Sequence, residues 1–481
     1  MHTQKVETGM MVQEKDWIAH EVGRAQFEDK RLKKRFSALL AQLSEGIGCS
    51  IPLACQDWAA TKAAYRFFSN KRVSEDAILA GHFSATRERF TASGSGHVLV
   101  LHDTCEFSYK REANSPLGLL GTTCVGKDNL GRKRVHTQRG ILMHSSMVVT
   151  CTGLPLGLAA IKFWTRKKFK GNQALRPKIN PTRIPIEEKE SYRWLENVRQ
   201  STSLLNAPER CVHIGDRESD IYELFCTAQE AGTYFLIRSC VDRLAEEGQS
   251  TIKSQMKDAT PQGIHRIELR DQGHICEVIL EIKYLRLKVR PPIGKQKRYP
   301  QLILSVIHAL EKDAPADRDK IEWKLITNLP VESIDAAIEK LQWYAMRWKI
   351  ETFHKILKSG CKAEESKLRT CERLANLISV YCIVSWRIFW LTMLNRTEPE
   401  APPEVALTKT EILILDKLMK PKAREAPARR VIGEYLKKIA RLGGYLARAR
   451  DLPPGNALIW RGMSRLIDIQ LGWNLAVNTY G

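Results

Sequence analysis

The chain has 481 residues, 43% of them hydrophobic, enough to bury large cores and to make roughly two to four domains. It carries 76 Lys and Arg against 54 Asp and Glu, a formal net charge of +22, which predicts a polyanionic partner. Its twelve cysteines include no CxxC pair and no zinc spacing, the nearest two being Cys49 and Cys55; a zinc ribbon or secreted disulfide scaffold is thereby excluded, and reduced thiols in a cytosolic protein are expected.

The opening residues, MHTQKVETGMMVQEKDW, lack the apolar stretch of a secretory signal. Residues 1–92 read as a helical DNA-binding domain. WIAHEVGRAQFEDKRLKKRFSALLAQL has helical apolar spacing with Lys30, Arg31, Lys33, Lys34 and Arg35 clustered at its centre. AATKAAYRFFSN adds Lys62 and Arg66 beside aromatic residues. A basic helix with neighbouring aromatics suits contact with a phosphate backbone, so Arg35 and Arg66 are candidate DNA ligands, although basic residues on a helix are also ordinary solvated surface.

Residues 93–395 alternate between strand and helix patterns. Val98 to Leu101 form a wholly apolar run typical of a strand covered on both faces, with Asp103 just beyond it. MHSSMVVTCTGLPLGLAAIKFW supplies one or two further strands. Residues 162–178 hold seven basic side chains and no acidic one, a loop suited to a polyanion. A helical pattern over 190–200 leads to a strand at about 210–214, Asp216, a helix from about Ser219 and a strand near 232–240. This alternation predicts an α/β core, whose chemistry gathers at the carboxyl ends of strands. Asp103 and Asp216 both occupy such ends, where an aspartate is also a common N-cap or turn residue.

About a hundred residues of strand pattern follow, including YLRLKVRPPIGKQKRYP, in which Arg286, Lys288 and Arg290 alternate with apolar residues and predict a strand with one basic face. Residues 344–360, YAMRWKIETFHKILKSG, read as one helix. Tyr344, Arg347, Glu351, Lys355 and Lys358 share its polar arc, and Met346, Ile350, Phe353 and Leu357 its apolar stripe. Glu351 is the one carboxylate of that arc. With Asp103 and Asp216 it makes a set that only folding brings together. Phosphoryl transfer gives a reason to converge them, because two Mg²⁺ ions about 3.5–4 Å apart take carboxylate oxygens and activate a water or a 3′-hydroxyl.

Residues 374–394 form a long apolar run containing Asn376 and Arg387. A central Arg costs roughly 2.5–3.5 kcal/mol in a bilayer, so the run reads as a buried helix and no membrane is expected. Residues 396–481 follow a Pro-rich linker and are helical and basic, with eleven Lys or Arg and two acidic residues over 417–450.

The spacing Y-x2-R-x3-E-x6-K made by Tyr344, Arg347, Glu351 and Lys358, together with LHDTCEFSYK, IGDRESDIY, AAYRFFSN and KIARLGGYLARARD, resembles the bacterial cut-and-paste DDE transposases of the insertion-sequence-four family. The resemblance spans nearly the whole chain. It implies an α/β multidomain protein with a ribonuclease-H-like catalytic core, a mostly β insertion at about 241–325, and helical N-terminal and C-terminal domains. It further implies Asp103, Asp216 and Glu351 as catalytic ligands of two Mg²⁺ ions, replaceable by Mn²⁺. Trp323 in IEWKLITNLP, Tyr344 and Arg347 would handle a base flipped from the DNA end, and Lys358 and Arg238 would contact DNA; His144 also matches a family position. The implied activity is hairpin-mediated excision of a mobile element and its insertion by strand transfer. The implied partners are double-stranded DNA, as terminal inverted repeats and target, and a second copy joined through the C-terminal helices, in the bacterial cytoplasm at the nucleoid. A structure-selective nuclease and a catalytically inactive DNA-binding regulator are the alternative readings.

Overall fold

A computed structural model of the chain describes residues 17–111, 116–127, 131, 133–166, 184–271, 274–315, 318–419, 429–448 and 450–480. The N-terminal segment forms helices α1 (Trp17–Val22), α2 (Lys30–Glu45), α3 (Ile51–Cys55), α4 (Trp58–Phe68) and α5 (Glu75–Ala92). Asp29, Asp57 and Ser74 start α2, α4 and α5 by accepting from the N–H groups of Arg31, Ala60 and Ala77. Phe36 and Phe67 stack at 6.1 Å with Phe27 against both, so aromatic packing fixes α2 on α4.

The centre is a mixed sheet with helical flanks. Its strands are β1 (Val98–Tyr109), β2 (Gly118–Lys127), β3 (Lys133–Thr150), β4 (Pro155–Trp164), β5 (Cys211–Gly215), β6 (Tyr234–Arg238), β7 (Leu244–Ala245), β8 (Ser250–Thr251), β9 (Gly263–Asp271), β10 (His274–Val289), β11 (Leu302–Glu311) and β12 (Glu322–Thr327). The order is β2-β3-β1-β5-β6-β12-β11-β10-β7-β8, with β4 also on β3 and β9 also on β10. β1 with β5 and β5 with β6 pair in parallel, while β3 pairs antiparallel with β1, β2 and β4. Val98 to Leu101 are fully buried, as the unbroken apolar run requires of a strand covered on both faces. Helix α6 (Tyr192–Leu205) leads into β5, α7 (Tyr222–Glu230) joins β5 to β6, and a short α8 (Ile252–Asp258) follows β8.

Residues 241–325 are mostly β, yet they do not form a sheet of their own. β12 pairs antiparallel with β6, so the central sheet runs on through β11 and β10. In β10 the expected alternation holds, with Arg286 and Lys288 exposed and Leu287 and Val289 buried; Arg290 lies one residue past the strand and donates to the Glu247 carbonyl.

Helix α11 (Cys371–Thr397) is long and apolar enough to cross a membrane, but 94% of its most apolar window is buried within the fold. It packs against α5, β3 and β4 and against the C-terminal helices α13 (Ile432–Leu442) and α14 (Asn456–Tyr480), on which α12 (Lys409–Leu418) packs in turn. One apolar core therefore joins the N-terminal helices, the sheet and the C-terminal helices. Arg387, within α11, keeps its charge among apolar neighbours by donating to the Ala406 carbonyl and lying over Trp390 at 4.7 Å, while burial brings its guanidinium down to about 10. α13 and α14 approach closely because of Gly443 and Gly462; a Cβ at Gly462 would stand 1.8 Å from the Ile439 carbonyl.

A buried ion cluster locks the N-terminal helices to this core. Glu21 of α1 accepts from Arg89 of α5 at 2.6 Å and pairs with His82 Nδ1. The backbone N–H of Leu158 donates to His82 Nε2 at 3.0 Å, so Nδ1 carries the proton and donates to Glu21. Arg89 in turn lies 4.0 Å over Trp386 of α11. Burial alone would raise the Glu21 carboxyl, but Arg89 and His82 hold it well below the usual carboxylate range. Glu21→Gln is predicted to cost about 3 kcal/mol in urea unfolding at pH 7, since it leaves Arg89 buried and uncompensated. Because the folded pKa is depressed, this difference is complete above the ordinary carboxylate range and is lost as acid protonates Glu21; a cost under about 1 kcal/mol would contradict the account.

Candidate active site

Parallel pairing of β1 with β5 sets Leu101 opposite Ile214. Counting on by two places Asp103 and Asp216 beside each other where β5 ends, on strands about 4.8 Å apart. The sequence reading put Asp103 just beyond its strand. Instead β1 continues through it to Tyr109, because the long antiparallel partner β3 keeps pairing after β5 has stopped. Asp216 caps a 3₁₀ turn (Arg217–Ser219), Oδ1 accepting from the Glu218 N–H at 2.9 Å, so the local capping role and a place at the site coincide. Burial pushes the Asp216 carboxyl up; the Glu218 N–H opposes this, the Asp103 charge adds to it and Arg347 opposes it. The two aspartates thus repel within one partly buried space.

The expected single helix over 344–360 is broken. α9 (Ile334–Ala345) ends first, Met346 and Arg347 turn the chain, and α10 (Trp348–Lys355) leads into a π turn (Ile356–Gly360). Tyr344 consequently leaves the polar arc and is buried. Arg347 forms an ion pair with Glu351 and lies 4.0 Å from Asp103, so its guanidinium stands between two of the three carboxylates. Burial alone would lower its pKa, and Glu351, Tyr344 and Asp103 more than offset that.

Trp323 meets Tyr344 edge to face at 5.7 Å. Arg238, opposite Leu325 across β6 and β12, donates to the Glu322 carbonyl at 3.0 Å. Burial raises the Tyr344 hydroxyl pKa, with Arg347 and Arg238 pulling against it. Trp323, Tyr344, Arg238 and Arg347 therefore form one group beside Asp216. Lys358 points elsewhere along β1, 3.8 Å from Glu364 and 5.8 Å over Phe107. Arg35, half-buried, and Arg66, exposed, sit on α2 and α4 rather than on the elements carrying the carboxylates. Of the basic loop over 162–178, residues 167–178 lie outside the described residues, as do 420–428 of the basic C-terminal stretch.

Several site residues escaped the sequence reading. His354 Nδ1 is 3.5 Å from Asp103 Oδ2. Glu218 pairs with Arg193 at 2.7 Å, and Arg193 also reaches the Thr104 hydroxyl at 3.2 Å. That hydroxyl meets His144 Nδ1 at 3.0 Å, so His144 is buried beneath the site rather than in it. The only sequence signal for these residues was nearness to a carboxylate already chosen: ETFHK for His354, DRE for Glu218 and HDT for Thr104.

The donor set is hard oxygen and suits Mg²⁺ or Mn²⁺. Asp103 and Asp216, adjacent and mutually repelling, fit a divalent cation as a pair. Among the described residues no three His, Cys, Asp or Glu side chains are gathered closely enough to hold a metal together, and Glu351 is paired with Arg347. Because burial, and after it the Asp103 charge, raise the Asp216 carboxyl, Asp216→Asn in EDTA should raise the melting temperature by about 1–2 °C at pH 7. The asparagine keeps the oxygen that accepts from Glu218. Since the folded pKa is raised, the gain should vanish below about pH 4, where Asp216 is protonated anyway, and a lowered melting temperature at pH 7 would refute the repulsion.

The N-terminal helices carry the other half of the picture: residues 14–73 match the family model described as transposase DNA-binding. That similarity covers the basic cluster of α2 and Arg66 of α4, and it supports reading the chain as a DNA-binding transposase.

Proposed function

We propose that the protein is a cut-and-paste DDE transposase of the insertion-sequence-four family, which binds the terminal inverted repeats of its own mobile element, excises it through a hairpin and inserts it by strand transfer. One observation carries the catalytic part: Asp103, within β1, and Asp216, just past the end of β5, lie beside each other on adjacent parallel strands, with the Glu351 helix against them and an aromatic and arginine group alongside. The order β4-β3-β1-β5-β6, antiparallel on one side of β1 and parallel on the other, supports a ribonuclease-H-like core.

Asp103 and Asp216 would hold the divalent cations, joined by Glu351 once it leaves Arg347. Bound there, Mg²⁺ or Mn²⁺ would activate a water or a 3′-hydroxyl and stabilise the leaving oxygen of phosphoryl transfer. Arg347, released from Glu351, has a planar fork suited to a DNA phosphate. Trp323, half-buried and braced edge to face by Tyr344, would offer its ring to a base turned out of the duplex, with Arg238 beside it. Lys358 contributes charge farther along β1, while Arg35 and Arg66 hold the phosphate backbone from the N-terminal helices. Exposed Leu446, Leu452 and Leu471 in the C-terminal region supply apolar surface for the homodimer of a synaptic complex. The work is proposed to take place in the bacterial cytoplasm, on nucleoid DNA.

A cleavage assay on duplexes bearing the terminal repeats that flank the gene tests this reading. With Mg²⁺, wild type should release a double-strand break with a hairpin product. Glu351→Gln should lower cleavage more than about 100-fold, beyond what loss of an outer-sphere contact does, while keeping end binding within a few fold. Binding without cutting by wild type would favour the DNA-binding regulator, and cutting by Glu351→Gln would remove Glu351 from the chemistry.

A further inference from the structure

Asp103 of β1 and Ser145 of β3 are direct cross-strand partners in the antiparallel pair. Such partners project to one face of a sheet. Into the space between them α10 inserts His354, one helical turn beyond Glu351 and 7% exposed. Its Nδ1 stands 3.5 Å from Asp103 Oδ2 and its Nε2 2.9 Å from the Ser145 hydroxyl. An ionised carboxylate only accepts, so Nδ1 carries the proton. Nε2 is then left to meet the Ser145 hydroxyl, which holds the ring from its far side. Serine, histidine and aspartate in a chain invite comparison with a hydrolytic triad, but Ser145 is 0% exposed and no substrate reaches it.

We infer that His354 is a positioning residue for Asp103: held in place by Ser145, it faces one carboxylate oxygen and leaves the other toward the neighbouring Asp216, where a cation would be held. The same ring ties the Glu351 helix to the strand of Asp103, so the two carboxylates are aligned through one side chain. The inference rests on the transposase reading only in taking Asp103 as a ligand of a divalent cation.

The test uses the full-length protein without DNA and Mn²⁺ alone as probe, with binding followed by electron paramagnetic resonance. Asp103→Asn provides the reference for a lost ligand. His354→Leu should weaken Mn²⁺ binding about 10–100-fold, the range for loss of an outer-sphere partner. His354→Asn, which keeps an N–H donor near Nδ1, should recover most of that loss, a rescue that a merely space-filling ring would not show. Ser145→Ala, a small change that leaves the ring in place, covers the case in which His354→Leu does not fold; it should weaken Mn²⁺ several-fold. Wild-type binding by His354→Leu and Ser145→Ala, set against a loss in Asp103→Asn, would overturn the positioning role and leave the carboxylate site standing. Unchanged binding in Asp103→Asn would instead overturn the carboxylate site, and the positioning role with it.

Discussion

The parallel register of β1 and β5 is the constraint from which the site follows. It puts Asp103 and Asp216 side by side at the point where β5 ends, and side chains so placed repel. Their surroundings answer that repulsion. The Glu218 N–H serves Asp216, while Arg347 and His354 stand against Asp103. Glu218 is itself held by Arg193, which reaches back to Thr104, the neighbour of Asp103. A partly buried pair of carboxylates placed this way is unfavourable, and a divalent cation, as proposed, would relieve it.

Continuity of the sheet then brings the second half of the site. Because β12 pairs with β6, Trp323 and Arg238 arrive on adjacent strands next to the one that ends at Asp216, and α9 delivers Tyr344 onto Trp323. The carboxylates and the Trp323, Tyr344 and Arg238 group are thus placed by one hydrogen-bonded ladder. The Glu21 cluster and α11 tie the N-terminal helices, which match the transposase DNA-binding model, to that same ladder. The helices that match the DNA-binding model therefore belong to the same body as the carboxylates.

Much of this was legible in the sequence because it rests on local patterns. The apolar run Val98 to Leu101 marked a doubly covered strand, and the alternation around Leu287 marked one basic strand face. The placing of Asp216 where a strand gives way to a turn was legible in IGDRES, while its choice as a site residue also needed Asp103, Glu351 and the family motif. Periodicity failed at Tyr344, since a helical arc assumes an unbroken helix and the turn at Met346 and Arg347 rotates Tyr344 into the core. The extent of β1 was missed for a similar reason: its last residues are held by pairing with β3, a contact between distant segments. The ion pair of Arg347 with Glu351, and the contact of His354 with Asp103, depend on side-chain directions that no spacing rule supplies.

The central claim is that Asp103, Asp216 and Glu351 form one cation site when DNA is bound. Anomalous diffraction from Mn²⁺ in crystals of the protein with a cleaved terminal-repeat duplex tests it most directly. The account predicts Mn²⁺ between Asp103 and Asp216, with Glu351 turned from Arg347 toward the metal and Arg347 on a DNA phosphate. Mn²⁺ absent from the two aspartates, with Glu351 still paired to Arg347 in the DNA complex, would contradict it.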